Sequence, residues 1–216
     1  MAIKFMLADN VETDIVAHSY DGFPAATPQD FLQFLRALTD ASALAELAAA
    51  KPVVRRFLLH PKPTPASYAL ENYFGVTAFV FTNAQGRRQA ARYRLVPAEP
   101  PSWLTVEQAE AKEPSFLATE LRTRLAKTPV QFYLQAQLAH LGDRTDDGSQ
   151  PWPDDRPCMT LGTLSLRQVV DDPDLAGAGL RFTPVSLVPG IEPSDDPMLL
   201  SRTLSYSISA DRRLQP

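Results

Sequence analysis

Cysteine occurs once, at Cys158, so the chain can form neither an internal disulfide framework nor a thiolate metal cluster. Long apolar runs are missing too. The longest, residues 44–50 and 76–81, fall far short of the roughly 20 residues that a membrane-spanning helix needs. The N-terminus brings Asp9, Glu12 and Asp14 before any apolar core of useful length, which is not the pattern of a signal peptide. There is no excess of positive charge: 21 Lys and Arg against 25 Asp and Glu leave a net charge of -4, so neither nucleic acid nor an anionic membrane is expected as a partner. A cytoplasmic location is expected if Met1 is the true start, and a periplasmic one stays open if the chain starts upstream. Several catalytic signatures are absent as well. There is no GxSxG elbow, no HExxH pair and no GxxxxGK loop, and no histidine lies near Cys158 in sequence. Glycine is scarce, nine residues against twenty prolines, which points to rigid loops and extended connections.

The 216 residues present, 44% of them hydrophobic, can bury one substantial core or two small ones. Ile3, Phe5 and Leu7 alternate with Lys4 and Met6, and Asp9-Asn10 breaks the run before residues 13–17, the pattern of a β-hairpin. Thr27, Pro28 and Asp30 form a helix start, followed by a stripe of Phe31, Phe34, Leu35 and Leu38. The alanine-rich residues 41–50 extend or repeat that helix, and Pro52 is expected to end it. Residues 60–65 read as an extended proline arm. Residues 73–82 and 89–96 read as two strands of a hairpin, and residues 115–127 as a helix. Val130, Phe132, Leu134, Ala136 and Leu138 alternate with polar residues, the cleanest strand pattern in the chain, with a polar face that points either to water or into a lined cavity. The loop 142–157 holds Asp143, Asp146 and Asp147. Their spacing lacks the alternating ligands and terminal glutamate of an EF-hand loop, so a solvated turn is expected over calcium. Residues 160–169 read as another strand. The resulting fold class is α+β, several hairpins with three or four helices, on an antiparallel sheet that closes as a barrel.

Asp196-Pro197 is a strong helix start, and no breaker follows before Arg213. On a helical wheel Tyr206 and Arg213 fall within roughly 40° of Arg202, so the three share a face. A cation one turn from a tyrosine favours the phenolate. Such an oxygen is a hard anionic ligand for ferric iron, and tyrosine is one of the known axial ligands of haem. From spacing alone, a half-buried helix with a Tyr-Arg surface pair is the plainer alternative.

The run Pro189-Gly190-Ile191-Glu192-Pro193-Ser194-Asp195-Asp196-Pro197-Met198-Leu199, followed by Arg202, Ser205-Tyr206 and Arg213, resembles the proximal haem segment of catalases and of the smaller catalase-related peroxidases. The resemblance implies that Tyr206 ligates the iron of haem b, that Arg202 bonds its phenolate, and that Arg213, with Arg212 a neighbouring alternative, meets a haem propionate. Ser207-Ile208-Ser209 departs from the proline-aspartate-threonine run of large catalases, which places the chain nearer the small branch. Trp152-Pro153, Leu161-Gly162-x-Leu164-x-Leu166 and Phe182-x-Pro184 are also similar to family segments. Phe23-Pro24 resembles a pair whose ring lies over the haem, and Asn10 falls at the spacing of the distal catalytic asparagine, although Asp9-Asn10 is equally what a hairpin turn uses. Phe23 reads as a core aromatic on the same footing.

Family members carry a segment with a distal histidine and haem-contacting arginines ahead of the strand that looks like residues 1–5. The expectation is therefore a single catalase-like core domain over residues 1–216, N-terminally truncated, with a barrel incomplete at that end. His18 reads as a solvent-facing strand residue that can also face the pocket, and His60 and His140 read as surface residues. The resemblance implies a haem-dependent peroxidase or catalase-like oxidoreductase acting on hydrogen peroxide or organic peroxides, with an organic electron donor as second partner. Two alternatives stay open: a non-catalytic or degenerate haem-binding fragment, and a barrel that binds a different apolar ligand.

Overall fold

In a computed structural model of the chain, residues 1–213 are described. The N-terminal alternation folds as expected: β1 (Ala2–Met6) pairs antiparallel with β2 (Glu12–Val16), with Ile3 opposite Ile15 and Phe5 opposite Thr13. The turn between them holds Asp9 and Asn10 at φ 59° and 58°, the left-handed region that short polar side chains tolerate.

Three helices follow. In α1 (Pro28–Ala37) the Thr27 side chain accepts from the Asp30 amide at 3.2 Å, and Pro28 occupies the first turn. In α2 (Ala41–Ala50) Asp40 accepts from the amides of Ser42 and Ala43. Pro52 does end this segment, but it is also the first residue of α3 (Pro52–Leu59), because a missing N–H is no loss in the first turn of a helix.

The main sheet runs in the order β7-β6-β5-β4-β8, with β3 also pairing β5, all antiparallel. Its strands are β3 (Tyr73–Phe74), β4 (Phe79–Thr82), β5 (Arg88–Pro97), β6 (Val130–Leu138), β7 (Cys158–Leu166) and β8 (Ile191–Pro193). The strand expected over residues 73–82 is split. The Gly75 amide donates to the Tyr93 carbonyl at 2.8 Å, and a Cβ at Gly75 would stand 3.3 Å from Tyr93, so the chain is pressed onto β5 there. Backbone bonds between His18 and Phe74, at 3.1 and 2.8 Å, join the hairpin to β3. Among the described residues no pairing that closes this sheet into the expected barrel is found, and β7 and the three-residue β8 stand at the two ends of the strand order.

The remaining helices are α4 (Val106–Glu110), α5 (Phe116–Leu125), α6 (Pro173–Ala178) and α7 (Pro197–Arg213). The described residues thus hold more helices than expected, because the chain uses short capped segments such as α4, with its capping box of Thr105 and Gln108. None of them is long and apolar enough to cross a membrane. Phe132 and Leu95 of the sheet and Leu199 of α7 are fully buried in one core, with the Tyr73 ring edge-on to Phe132 at 5.9 Å.

The loop 142–157 is exposed along much of its length and tied down at its inner side. Arg92 of β5, 2% exposed, donates to the carbonyls of Gln150, Asp147 and Arg144, and stacks 4.3 Å from the Trp152 ring. Its acids have partners of their own: Asp143 pairs with Arg156, Asp146 with Arg144, and Asp147 accepts from Ser149.

Candidate functional site

Helix α7 builds one wall of the site. Asp196 caps it by accepting from the Met198 amide at 2.8 Å. Leu199, fully buried, docks the helix on the core. Arg202, Tyr206, the buried Ala210 and Arg213 follow Leu199 at steps of three and four residues, so the docked face is also the face that carries the candidate side chains. Arg202 donates to the Tyr206 hydroxyl oxygen twice, from Nε at 2.9 Å and Nη2 at 2.7 Å. With its proton removed, an oxygen held by two charged donors still has room for a further hard positive partner.

Tyr206 and Arg202 line a cavity of about 600 Å³. Phe31, Leu32 and Leu35 of α1 give it an apolar wall, and Val16, Ala17, His18 and Phe23 close it from the end of the hairpin. Gly148 presents the anchored loop to the same space, and a Cβ there would meet the Val76 carbonyl at 3.3 Å and Asp196 Oδ2 at 3.4 Å. Mostly apolar walls with a few converging polar groups are the usual make-up of a small-molecule site. Two buried polar atoms of residues in this wall have no partner, His18 Nε2 and Asp196 Oδ2. Burial, reinforced by the charges of Arg202 and the N-terminal ammonium, lowers the His18 pKa to about 4. Burial raises that of Asp196, against its own amide bonds and the charge of Arg92.

A second cavity of about 800 Å³ shares His18, Phe23, Phe31 and Leu35 with the first and extends past Phe57, Phe74 and Trp103. A small one of about 250 Å³ lies between Tyr206, Arg213, Val16 and Phe182.

The structure brings Tyr206, Arg202 and Phe23 into one cavity and sets Arg213 beside Tyr206 in the small one, where its Nη2 donates to the Leu180 carbonyl at 2.8 Å. Arg212 is exposed. Asn10 stands exposed in the hairpin turn and lines none of these cavities. His18 is not the solvent-facing residue expected. It lies beyond the end of β2, and its backbone bonds to Phe74 turn the ring inward. His60 lines the second cavity, 4.5 Å from the Tyr20 ring, and His140 is exposed. Asp196 and Gly148 were legible as a cap and a loop glycine, but nothing in the pattern marked them as cavity residues. Among the described residues no group of three or more His, Cys, Asp or Glu converges as a bare-ion site.

The family described as Catalase matches residues 45–216. A catalase-related peroxidase of Mycolicibacterium paratuberculosis is 36% identical over 224 aligned positions, covering 99% of this chain and 70% of that protein. One of Synechococcus elongatus is 29% identical, covering 99% and 66%. Among solved structures, a fungal catalase superposes with a TM-score of 0.86 at 23% identity, over 100% of this chain and 47% of the catalase. A bacterial catalase gives 0.85 at 18%, over 99% and 46%. The chain thus spans about two thirds of these curated relatives and under half of the solved catalases, whose likeness speaks for the fold. With the family match over most of the chain and a relative 36% identical along nearly all of it, the chain belongs to the catalase family.

Proposed function

We propose that this chain is the core of a haem-dependent oxidoreductase acting on hydrogen peroxide or organic peroxides, with Tyr206 as the iron ligand. The observation that carries the reading is the Tyr206 oxygen, held by two N–H groups of Arg202 at the wall of an apolar cavity. The donor set fits haem b. A tyrosine oxygen supported by a guanidinium suits ferric iron, Phe23 and Phe31 offer apolar contact for a flat macrocycle, and Arg213 supplies a cation for a carboxylate, with Arg212 next to it. Bound there, ferric haem would supply the redox chemistry, taking oxidising equivalents from a peroxide and passing them to a second peroxide or an organic donor. The chain's own residues hold the group, orient it through α7 and exclude water from its faces with the apolar wall of α1. Two curated relatives named catalase-related peroxidase support the route to an organic donor.

Peroxide-dependent oxidation of a phenolic dye, measured with the hemin-loaded protein, tests this reading. Turnover above that of free hemin, lost in Tyr206→Phe, is the expected result. Hemin uptake without turnover would instead identify a non-catalytic haem-binding protein.

A further inference from the structure

We propose that the larger, second cavity is a binding site for a small planar aromatic molecule that carries an N–H or O–H group, with Glu71 accepting its hydrogen bond and Trp103 packing on its ring. The inference rests on the haem reading for what the ligand is used for, since there it is the organic electron donor. The site itself stands on the geometry of this cavity.

A buried acid in an apolar wall is the first observation. Glu71 is 8% exposed and lines a cavity otherwise made mostly of aromatic rings and prolines. Its Oε1 accepts from the Asn72 amide at 2.8 Å and its Oε2 from Trp103 Nε1 at 3.1 Å. Neither donor is a cation, although an acid this buried is ordinarily paired with one. A carboxylate offers about four acceptor positions, so two remain for a donor that enters the cavity. Lys62, the ammonium of the same wall, is engaged elsewhere. Its Nζ donates to the Phe57 carbonyl at 2.6 Å and the His60 carbonyl at 3.2 Å, and lies 4.6 Å from the Phe57 ring. A ligand carboxylate would meet Glu71 as a like charge, whereas an N–H or O–H group meets an acceptor.

The second observation is a fixed ring at the rim. Trp103 is 46% exposed, yet its indole nitrogen is held by Glu71 and its backbone is bridged to Pro65. On either side of that bridge the Ala66 amide donates to the Ser102 carbonyl and the Leu104 amide to the Thr64 carbonyl, both at 2.9 Å. The proline arm is thereby fastened alongside Trp103 as a stiff wall. A ring held still and left partly bare is a surface on which another ring packs at little cost in side-chain entropy. The shape agrees. A volume of about 800 Å³ lies within the range of about 300–1,000 Å³ usual for small-molecule sites. Deeper in, Tyr20 and Phe34 stand edge-on to Phe57 at 5.3 and 5.7 Å, so the interior is lined by rings as well. Finally, the cavity shares His18, Phe23, Phe31 and Leu35 with the one that holds Tyr206, which puts a ligand docked here next to the haem site.

Two probes of one shape provide the test: o-phenylenediamine, an aromatic diamine uncharged at neutral pH, and o-xylene, which has methyl groups in place of the amines. Each is titrated calorimetrically into the full chain, with and without hemin, and into Glu71→Gln and Trp103→Leu. Wild type is expected to bind the diamine about tenfold or more tightly than o-xylene. Glu71→Gln is expected to weaken the diamine by about tenfold and leave o-xylene unchanged, and Trp103→Leu to weaken both by about threefold or more. Equal affinity of wild type for the two probes overturns the proposal, and this comparison decides even where a variant fails to fold. No diamine binding by wild type, or diamine affinity unchanged in both variants, overturns it as well. Diamine binding of the expected kind by a chain that takes up no hemin supports the site and overturns the haem reading, and hemin uptake without diamine binding does the reverse.

Discussion

At Tyr206 one oxygen accepts two bonds from one guanidinium, and Arg202 can reach it only because the two residues stand four apart on a docked helix. Hydrogen bonds to charged groups contribute about 1.5–3 kcal/mol each, and about 1.4 kcal/mol is a factor of ten in affinity. Arg202→Leu is therefore expected to weaken hemin binding by about tenfold or more, measured by titration. Unchanged affinity would mean that the pair is only a surface contact. Gly148 makes a different demand. A branched side chain there must displace either the Val76 backbone or Asp196, so Gly148→Val is expected to cost about 1–3 kcal/mol in denaturant unfolding and to reduce hemin uptake. Tyr206 and Arg202 were legible in the sequence because helical spacing alone puts them together. His18 was not, because the alternation of β2 stops at Val16 and its orientation is set by a bridge to Phe74, 56 positions along the chain by subtraction of their numbers.

Helix α7 carries its functional face and its anchoring face on the same side. Leu199 is the anchor. It is fully buried three residues before Arg202, so Leu199→Ala is expected to destabilise the protein by about 2–5 kcal/mol and to disturb the Arg202–Tyr206 pair, read as a lower denaturation midpoint together with weaker hemin binding. Strand β6 was legible over its full length from its alternation, and its polar face is open at one end and covered at the other. Gln131 and Tyr133 are exposed. Gln137 is buried, 1% exposed, and donates to the Pro153 carbonyl at 3.1 Å. Sequence periodicity carries no mark of what covers a polar face. Nor could it show that Arg92, one cation among 21 basic residues, is the post to which the loop 142–157 is tied. That anchoring depends on backbone carbonyls, which every sequence supplies equally.

Over the whole molecule, the two titratable groups that each keep one unpartnered polar atom at the cavity wall give opposite dependences on pH. The folded-state pKa of His18 lies near 4, below its ordinary 6.5, so the unfolded chain binds the proton more readily, and its contribution to stability is full above 6.5 and lost as pH falls toward 4. His18→Gln is expected to flatten that slope. Asp196 has a raised value, so stability falls as pH rises past its ordinary 3.8 toward the folded-state value. Asp196→Asn keeps an oxygen for the helix cap and removes the buried charge. It is expected to unfold at a higher denaturant concentration than wild type at pH 7, by a margin that shrinks toward pH 4. A variant less stable at pH 7 contradicts a destabilising buried charge at Asp196. All of these effects converge on one space, bounded by a helix from one end of the chain and a hairpin from the other, which is why the fold was legible in its pieces and the cavity was not. The most direct measurement of the central claim is the absorption spectrum of hemin added to purified wild type and to Tyr206→Phe. The account predicts a bound-haem spectrum, distinct from free hemin, in wild type and its loss or change in the variant. Identical spectra from the two proteins would contradict it.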